Sequence, residues 1–155
     1  YEQRILMCLI IDANCALETL CASPSKNFAP VQEALLKRNA KMVIGGKKLR
    51  DAYERLPPVW RSIRMLDRAG RVRMVKDVDV DTLEAILDVS GALASNDPHI
   101  IALAKIAGVR LLCSRDQNLH RDFVSATLIN KPRGKVYQNA SHAALIRDCC
   151  RSLGN

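Results

Sequence analysis

The chain has 155 residues, 48% of them hydrophobic, which suits one globular domain with a real core. It holds no apolar run of the ~18 residues that a membrane span needs, and an aromatic content of 4% excludes a base-stacking platform as the main mode of binding. Lys and Arg number 24 against 16 acids, a net charge of +8 spread along the chain, which favours a polyanion held through its phosphates over one held through its bases.

The opening "YEQRILMCLIIDANCAL" is apolar only briefly. Acids at Glu2 and Asp12 do not fit a signal-peptide layout, so a cytoplasmic protein is expected. Within it, "RILMCLIID" is a near-continuous apolar run that ends in an acid, the pattern of a strand buried on both faces. "NCALETLCA" reads as a short helix and "SPSKN" as a loop. "FAPVQEALLKRNA" reads as a helix carrying Phe28, Val31, Leu35 and Leu36. "KMVIGG" is a short strand stopped by two glycines. "KKLRDAYERL" places Leu49, Ala52, Tyr53 and Leu56 on one side of a helix, and "PPVWRSIRMLDRAG" is a helix that starts at prolines and stops at Gly70.

"RVRMV" is a short strand. "DVDTLEAILDVSGAL" is a helix with Asp79 and Asp81 at its positive end. "DPHIIALAKIAG" is a helix with Pro98 at its start and Gly108 past its end, and "VRLLCS" is the second clear buried strand. "QNLHRDFVSATL" is helical, "GKVYQ" a last strand, and "SHAALIRDCCRSL" a terminal helix that carries the adjacent Cys149 and Cys150. Strands alternating with helices predict one α/β domain over 1–155, with a central, mostly parallel sheet flanked by helices. No repeat, linker or low-complexity segment divides it.

The six cysteines form no C-x-x-C pair and have no histidine at zinc-finger spacing. Cys8 and Cys113 lie in strand-like runs, where a thiol behaves as a small hydrophobe. His99, His120 and His142 have no triad or metal spacing and read as surface or phosphate-near residues.

The informative residues are acids at strand ends. Asp12 closes the first strand, Asp97 opens the helix before the second clear strand, and Asp116 comes just after that strand. Ligands of open α/β sheets bind outside those ends. Each Asp could be a helix N-cap, but Ser, Thr or Asn would serve as well. Three carboxylates in one pocket repel unless a cation joins them, and hard oxygen ligands suit Mg²⁺ or Mn²⁺.

"LIIDANCAL" followed by "SNDPHIIALAKIAGVRLLCSRD" resembles the PIN-domain family, metal-dependent nucleases that include VapC-type toxins. The resemblance spans about Ile5 to Phe123 and implies a single PIN-like domain and Mg²⁺- or Mn²⁺-dependent cleavage of RNA. Asp12, Asp97 and Asp116 would be both the catalytic residues and the metal ligands. Lys47, Lys48, Arg50, Arg115 and Arg121 are the candidates to hold the RNA backbone. Asp122, in a "DF" pair, resembles a further acid of some relatives, and a surface helical acid is its plain alternative. An antitoxin protein and a homodimer partner are implied at the level of the family, with no membrane involved.

The pattern departs in "GGKKLRDAYERL". A Glu of the family is expected where Ala52 stands, with Asp51 and Glu54 about 100° and 200° round the helix from it. A weakened natural site or an inactivating Glu-to-Ala change would both leave this gap. It keeps open a catalytically weakened, PIN-like module that binds RNA or protein. A phosphatase of the HAD type is a third reading of "DAN" after the first strand. There Asn14 replaces the needed second acid, and no G-D-x-x-x-D follows.

Overall fold

The structure is a computed structural model that describes residues 7–130 and 132–146. Its centre is the run "MCLII", strand β1 (Met7–Ile11), in which Leu9, Ile10 and Ile11 are fully buried. Burial on both faces is what a continuous apolar run requires. After β1 come α1 (Ala13–Leu20), α2 (Ala29–Lys37), β2 (Ala40–Ile44), α3 (Lys47–Glu54), α4 (Pro57–Arg68) and β3 (Val72–Met74). Then follow α5 (Asp77–Ser90), α6 (Pro98–Ala107), β4 (Leu111–Cys113), α7 (Gln117–Phe123), β5 (Lys135–Tyr137) and a 3₁₀ turn, Ala140–His142.

The fold is α/β, with all five described strands parallel in the order β3-β2-β1-β4-β5. The chain winds outward from β1 to β3, then crosses back to lay β4 on the other side of β1. Right-handed crossovers in opposite directions put the two sets of helices on opposite faces of the sheet. Accordingly α1 packs on α2 and α4, whereas α5 packs on α6. The reversal falls between β1 and β4, where such sheets open a crevice at the strand ends. Ile11 is level with Cys113, so Asp12 and Ser114 leave the sheet side by side, and the Asp12 N–H donates to the Cys113 carbonyl at 2.9 Å.

Several boundaries differ from expectation for local reasons. Helix α2 begins at Ala29, with Phe28 as its N-cap and fully buried. Helix α5 begins at Asp77 and stops at Ser90, because Gly91 takes the left-handed conformation (φ 69°) that ends helices. Helix α7 stops at Phe123, and Gly134 packs there so closely that a β-carbon on it would lie 2.2 Å from the Phe123 carbonyl oxygen. Of the expected terminal helix, only the 3₁₀ turn and 143–146 lie in the described part. Cys149 and Cys150 fall outside the described residues. No described helix is long and apolar enough to cross a membrane.

Candidate functional site

The crevice between β1 and β4 is lined by the ends of three chain segments. Asp12 follows β1 at the N-cap position of α1, yet its side chain makes no cap hydrogen bond. The N–H groups of Ala13 and Asn14 point toward it, but its closed bond is with Ser114, whose hydroxyl donates to Oδ2 at 2.8 Å. Asp12 is buried, and burial raises its carboxyl above the usual range, with the charge of Asp116 adding to the effect.

Asp116 caps α7 in earnest. Its Oδ1 accepts the N–H groups of Asn118 (2.9 Å) and Leu119 (3.2 Å), and its own N–H donates to the Ser114 hydroxyl at 3.1 Å. Ser114 therefore bridges Asp12 and Asp116.

Asp97 arrives from the other segment, before Pro98 at the start of α6, again with no side-chain cap bond. Its carboxyl is pushed up to about 6. Burial is the largest cause, followed by the charges of Asp12 and Asp116 and a hydrogen bond to Asp116, while Lys48 pulls the other way. The three acids share one electrostatic environment, and Asp12 and Asp97 sit at helix N-termini without capping them.

Asp122 lies elsewhere in function. It is 3% exposed, and both carboxylate oxygens are occupied: Oδ1 accepts from Ala94 N at 2.8 Å and Oδ2 from Ser95 N at 2.9 Å. The Ser95 hydroxyl in turn accepts the Asp97 N–H at 3.3 Å. Asp122 is neither a free ligand nor a surface acid. It anchors the loop that delivers Asp97.

The buried face of α3 is formed by Leu49 and Tyr53, whose hydroxyl donates to the Ile11 carbonyl beneath the crevice. Ala52 is half-buried, and one turn before it on the same side is Lys48, the cation that acts on Asp97. Ala52 thus stands on the side of α3 that neighbours the acids. Asp51 and Glu54 do not substitute for a missing carboxylate. Asp51 binds Lys47 Nζ at 2.6 Å, which lowers its carboxyl, and exposed Glu54 lies 4.0 Å from Arg50 Nε. Neither is among the main charges acting on Asp12 or Asp97.

Most of the expected phosphate-holding cations are already paired. Besides Lys47 with Asp51, Lys48 lies 3.4 Å from Glu84, Arg50 binds Asp77, and Arg115 binds Glu18 and covers the Phe28 ring. Arg121 is exposed on α7 and makes no ion pair among the described residues. Asp77 and Asp81 do more than favour their own helix: they accept the N–H groups of Gly46 (2.9 Å) and Lys47 (3.0 Å) and so cap α3 from α5. Gly46 permits this with φ 92°, and a β-carbon there would come within 2.8 Å of Val80.

Two histidines read as surface residues are in fact buried. His120 Nε2 bonds the Ser114 carbonyl at 2.5 Å, which fixes the turn that carries Asp116. His99 sits two residues past Asp97. Burial, then Lys48, lowers it to about 4, so it is neutral at pH 7. The Nδ1 atoms of both lack a partner among the described residues. His142 is half-buried and accepts the Gln138 N–H. Ser114 and His120 were missed as site residues, although a hydroxyl two residues before Asp116 is a readable signal. Asn14 accepts the Arg115 N–H at 3.4 Å and so ties α1 to the same turn.

Among the described residues no group of three His, Cys, Asp or Glu side chains is already gathered for a metal ion. The donor chemistry nonetheless fits a hard divalent cation: all-oxygen, anionic, at a dry sheet edge, with two carboxyls raised by burial and mutual repulsion. Comparison of the chain with protein-family models, curated proteins and solved structures finds no match among any of them.

Proposed function

We propose that the chain is a Mg²⁺- or Mn²⁺-dependent ribonuclease of PIN-domain type. The observation that carries this reading is the convergence of Asp12, Asp97 and Asp116, from three segments, at the switch point of a parallel sheet. Clustering that raises an acid to about 6 destabilises the metal-free protein, a burden that helix capping does not call for. The three acids would hold the cation, with Ser114 orienting Asp12 and Asp122 holding the loop of Asp97 in place. When bound, such a cation activates water and stabilises charge on a phosphodiester. Without it, the acids repel an RNA phosphate. Arg121 supplies an unpaired positive rim, and the paired Lys48, Arg50 and Arg115 hold the acids beside them as much as they attract RNA. RNA as substrate, an antitoxin or second copy as partner, and a cytoplasmic setting belong to this same reading.

The test is cleavage of single-stranded and hairpin RNA with Mg²⁺ or Mn²⁺, with chelator, and with Asp97→Asn. Cleavage that survives chelator, or that Asp97→Asn leaves unchanged, overturns the proposal.

The gap at Ala52 favours one second reading, a non-catalytic module that binds RNA or protein on the same fold. Asp51 and Glu54 are engaged with Lys47 and Arg50, which leaves the position of the expected Glu unfilled. Metal-independent retention of RNA with no cleavage at any Mn²⁺ concentration would select this reading over the first.

A further inference from the structure

Two exposed features on opposite faces of the sheet complement each other. The first is a groove of about 570 Å³ between α1, α2 and α4, walled by Leu20, Leu35, Leu36 and Met65, with Gln32 and Arg71 at its edge. Met65 is 66% exposed although it is a large apolar side chain. The groove is rimmed by positive charge. Arg61, Arg64 and Arg68 stand exposed along α4 and make no ion pair among the described residues, and Arg71 donates to the Arg38 carbonyl. Asp67 is the one acid on α4.

The second feature is the outer side of α5. At 3.6 residues per turn, Val78, Thr82, Ala85, Ile86 and Val89 fall in a strip about 100° wide, running about 16 Å along the helix. All five are exposed, Val89 to 85%. Between Asp77 and Ser90 there is no Lys or Arg and there are five acids. Asp77, Asp81 and Glu84 turn to α3, whereas Asp79 and Asp88 stay exposed along the two flanks of the strip.

An apolar strip flanked by acids thus faces away on one side of the molecule, and an apolar groove flanked by arginines on the other. They cannot meet within one chain, because the crossovers hold them on opposite faces of the sheet. We propose that α5 of one molecule docks in the α1–α2–α4 groove of a second copy, giving head-to-tail self-association. Charge selects this pairing. Strip against strip would set Asp79 and Asp88 against their own copies, and groove against groove would oppose the arginines. Residues 147–155 carry two arginines and one aspartate, which suits a basic rim poorly. A contact between two different patches leaves each end of the assembly with a free patch, so mass should grow with concentration rather than stop at a dimer unless a ring closes.

The test is sedimentation velocity of the full chain with paired variants. Wild type should show a mass that rises with concentration at low salt and falls near 1 M salt, where screening is about 3 Å. Ile86→Lys spoils the strip and Met65→Glu spoils the groove, both at exposed positions that tolerate change. Each variant alone should lose roughly tenfold or more in association. Mixed together they should form a 1:1 complex, since the first keeps its groove and the second keeps its strip. A wild type that stays monomeric throughout overturns the proposal. So does an association that Ile86→Lys abolishes and Met65→Glu leaves intact, and so does a mixture that stays monomeric.

Discussion

Asp122 accepts the Ser95 N–H at 2.9 Å, and through Ser95 it holds Asp97 at the mouth of the crevice. A buried carboxylate on α7 thereby sets the position of an acid on another segment. Asp122→Asn keeps the shape but replaces one acceptor with an amide that opposes a backbone donor. The expected loss is about 1–3 kcal/mol of stability, read by urea unfolding. RNA cleavage should fall as well, as Asp97 loses its support. A variant as stable as wild type would show that the Ala94 and Ser95 bonds contribute nothing.

Asp97 carries the clearest pH signature. Its folded pKa, about 6, lies above the unfolded value of ~3.9. The folded form therefore binds its proton more tightly. The stabilisation is fully present below the unfolded pKa and is lost as pH rises through about 6. Asp97→Asn should remove this loss, so the metal-free variant should melt above wild type at pH 7.5 and gain less at pH 4. Parallel melting curves for the two proteins across that range would refute the shift.

Asp116 allows capping and site roles to be separated. Asn retains a cap oxygen for Asn118 and Leu119, whereas Ala removes it. Asp116→Ala should cost about 1 kcal/mol, and Asp116→Asn much less. Both should abolish metal-dependent cleavage. If Asp116→Asn cleaves RNA normally, Asp116 is a cap alone.

Ala52→Glu tests the gap on α3. A carboxylate there, on the side of Lys48, would join the field already felt by Asp97. The metal-free variant should melt lower than wild type, and Mn²⁺ should raise its melting temperature by more than it raises that of wild type. Cleavage should rise in step. No change in either response would place the missing ligand elsewhere or show that none is missing.

The element types were readable in sequence because hydrophobic period is a local property. "MCLII" and "LLC" are unbroken apolar runs, and α4 repeats its buried residues at helical spacing. The strand-end positions of Asp12 and Asp116 followed from the same runs. Where a helix stopped depended on a neighbour more than once: α7 ends where Gly134, from another segment, closes on Phe123. Partner choice was invisible for a related reason. Ser114 meets Asp12 across 102 residues of chain, and only the placing of β4 beside β1 makes them neighbours. Asp97, Asp116 and Asp122 look alike in sequence, yet one is raised by crowding, one caps a helix and one is sealed against two N–H groups. Charge and spacing are written along the chain, whereas desolvation and hydrogen-bond partners come into being only when distant segments pack together, so the roles of these acids belong to the tertiary structure.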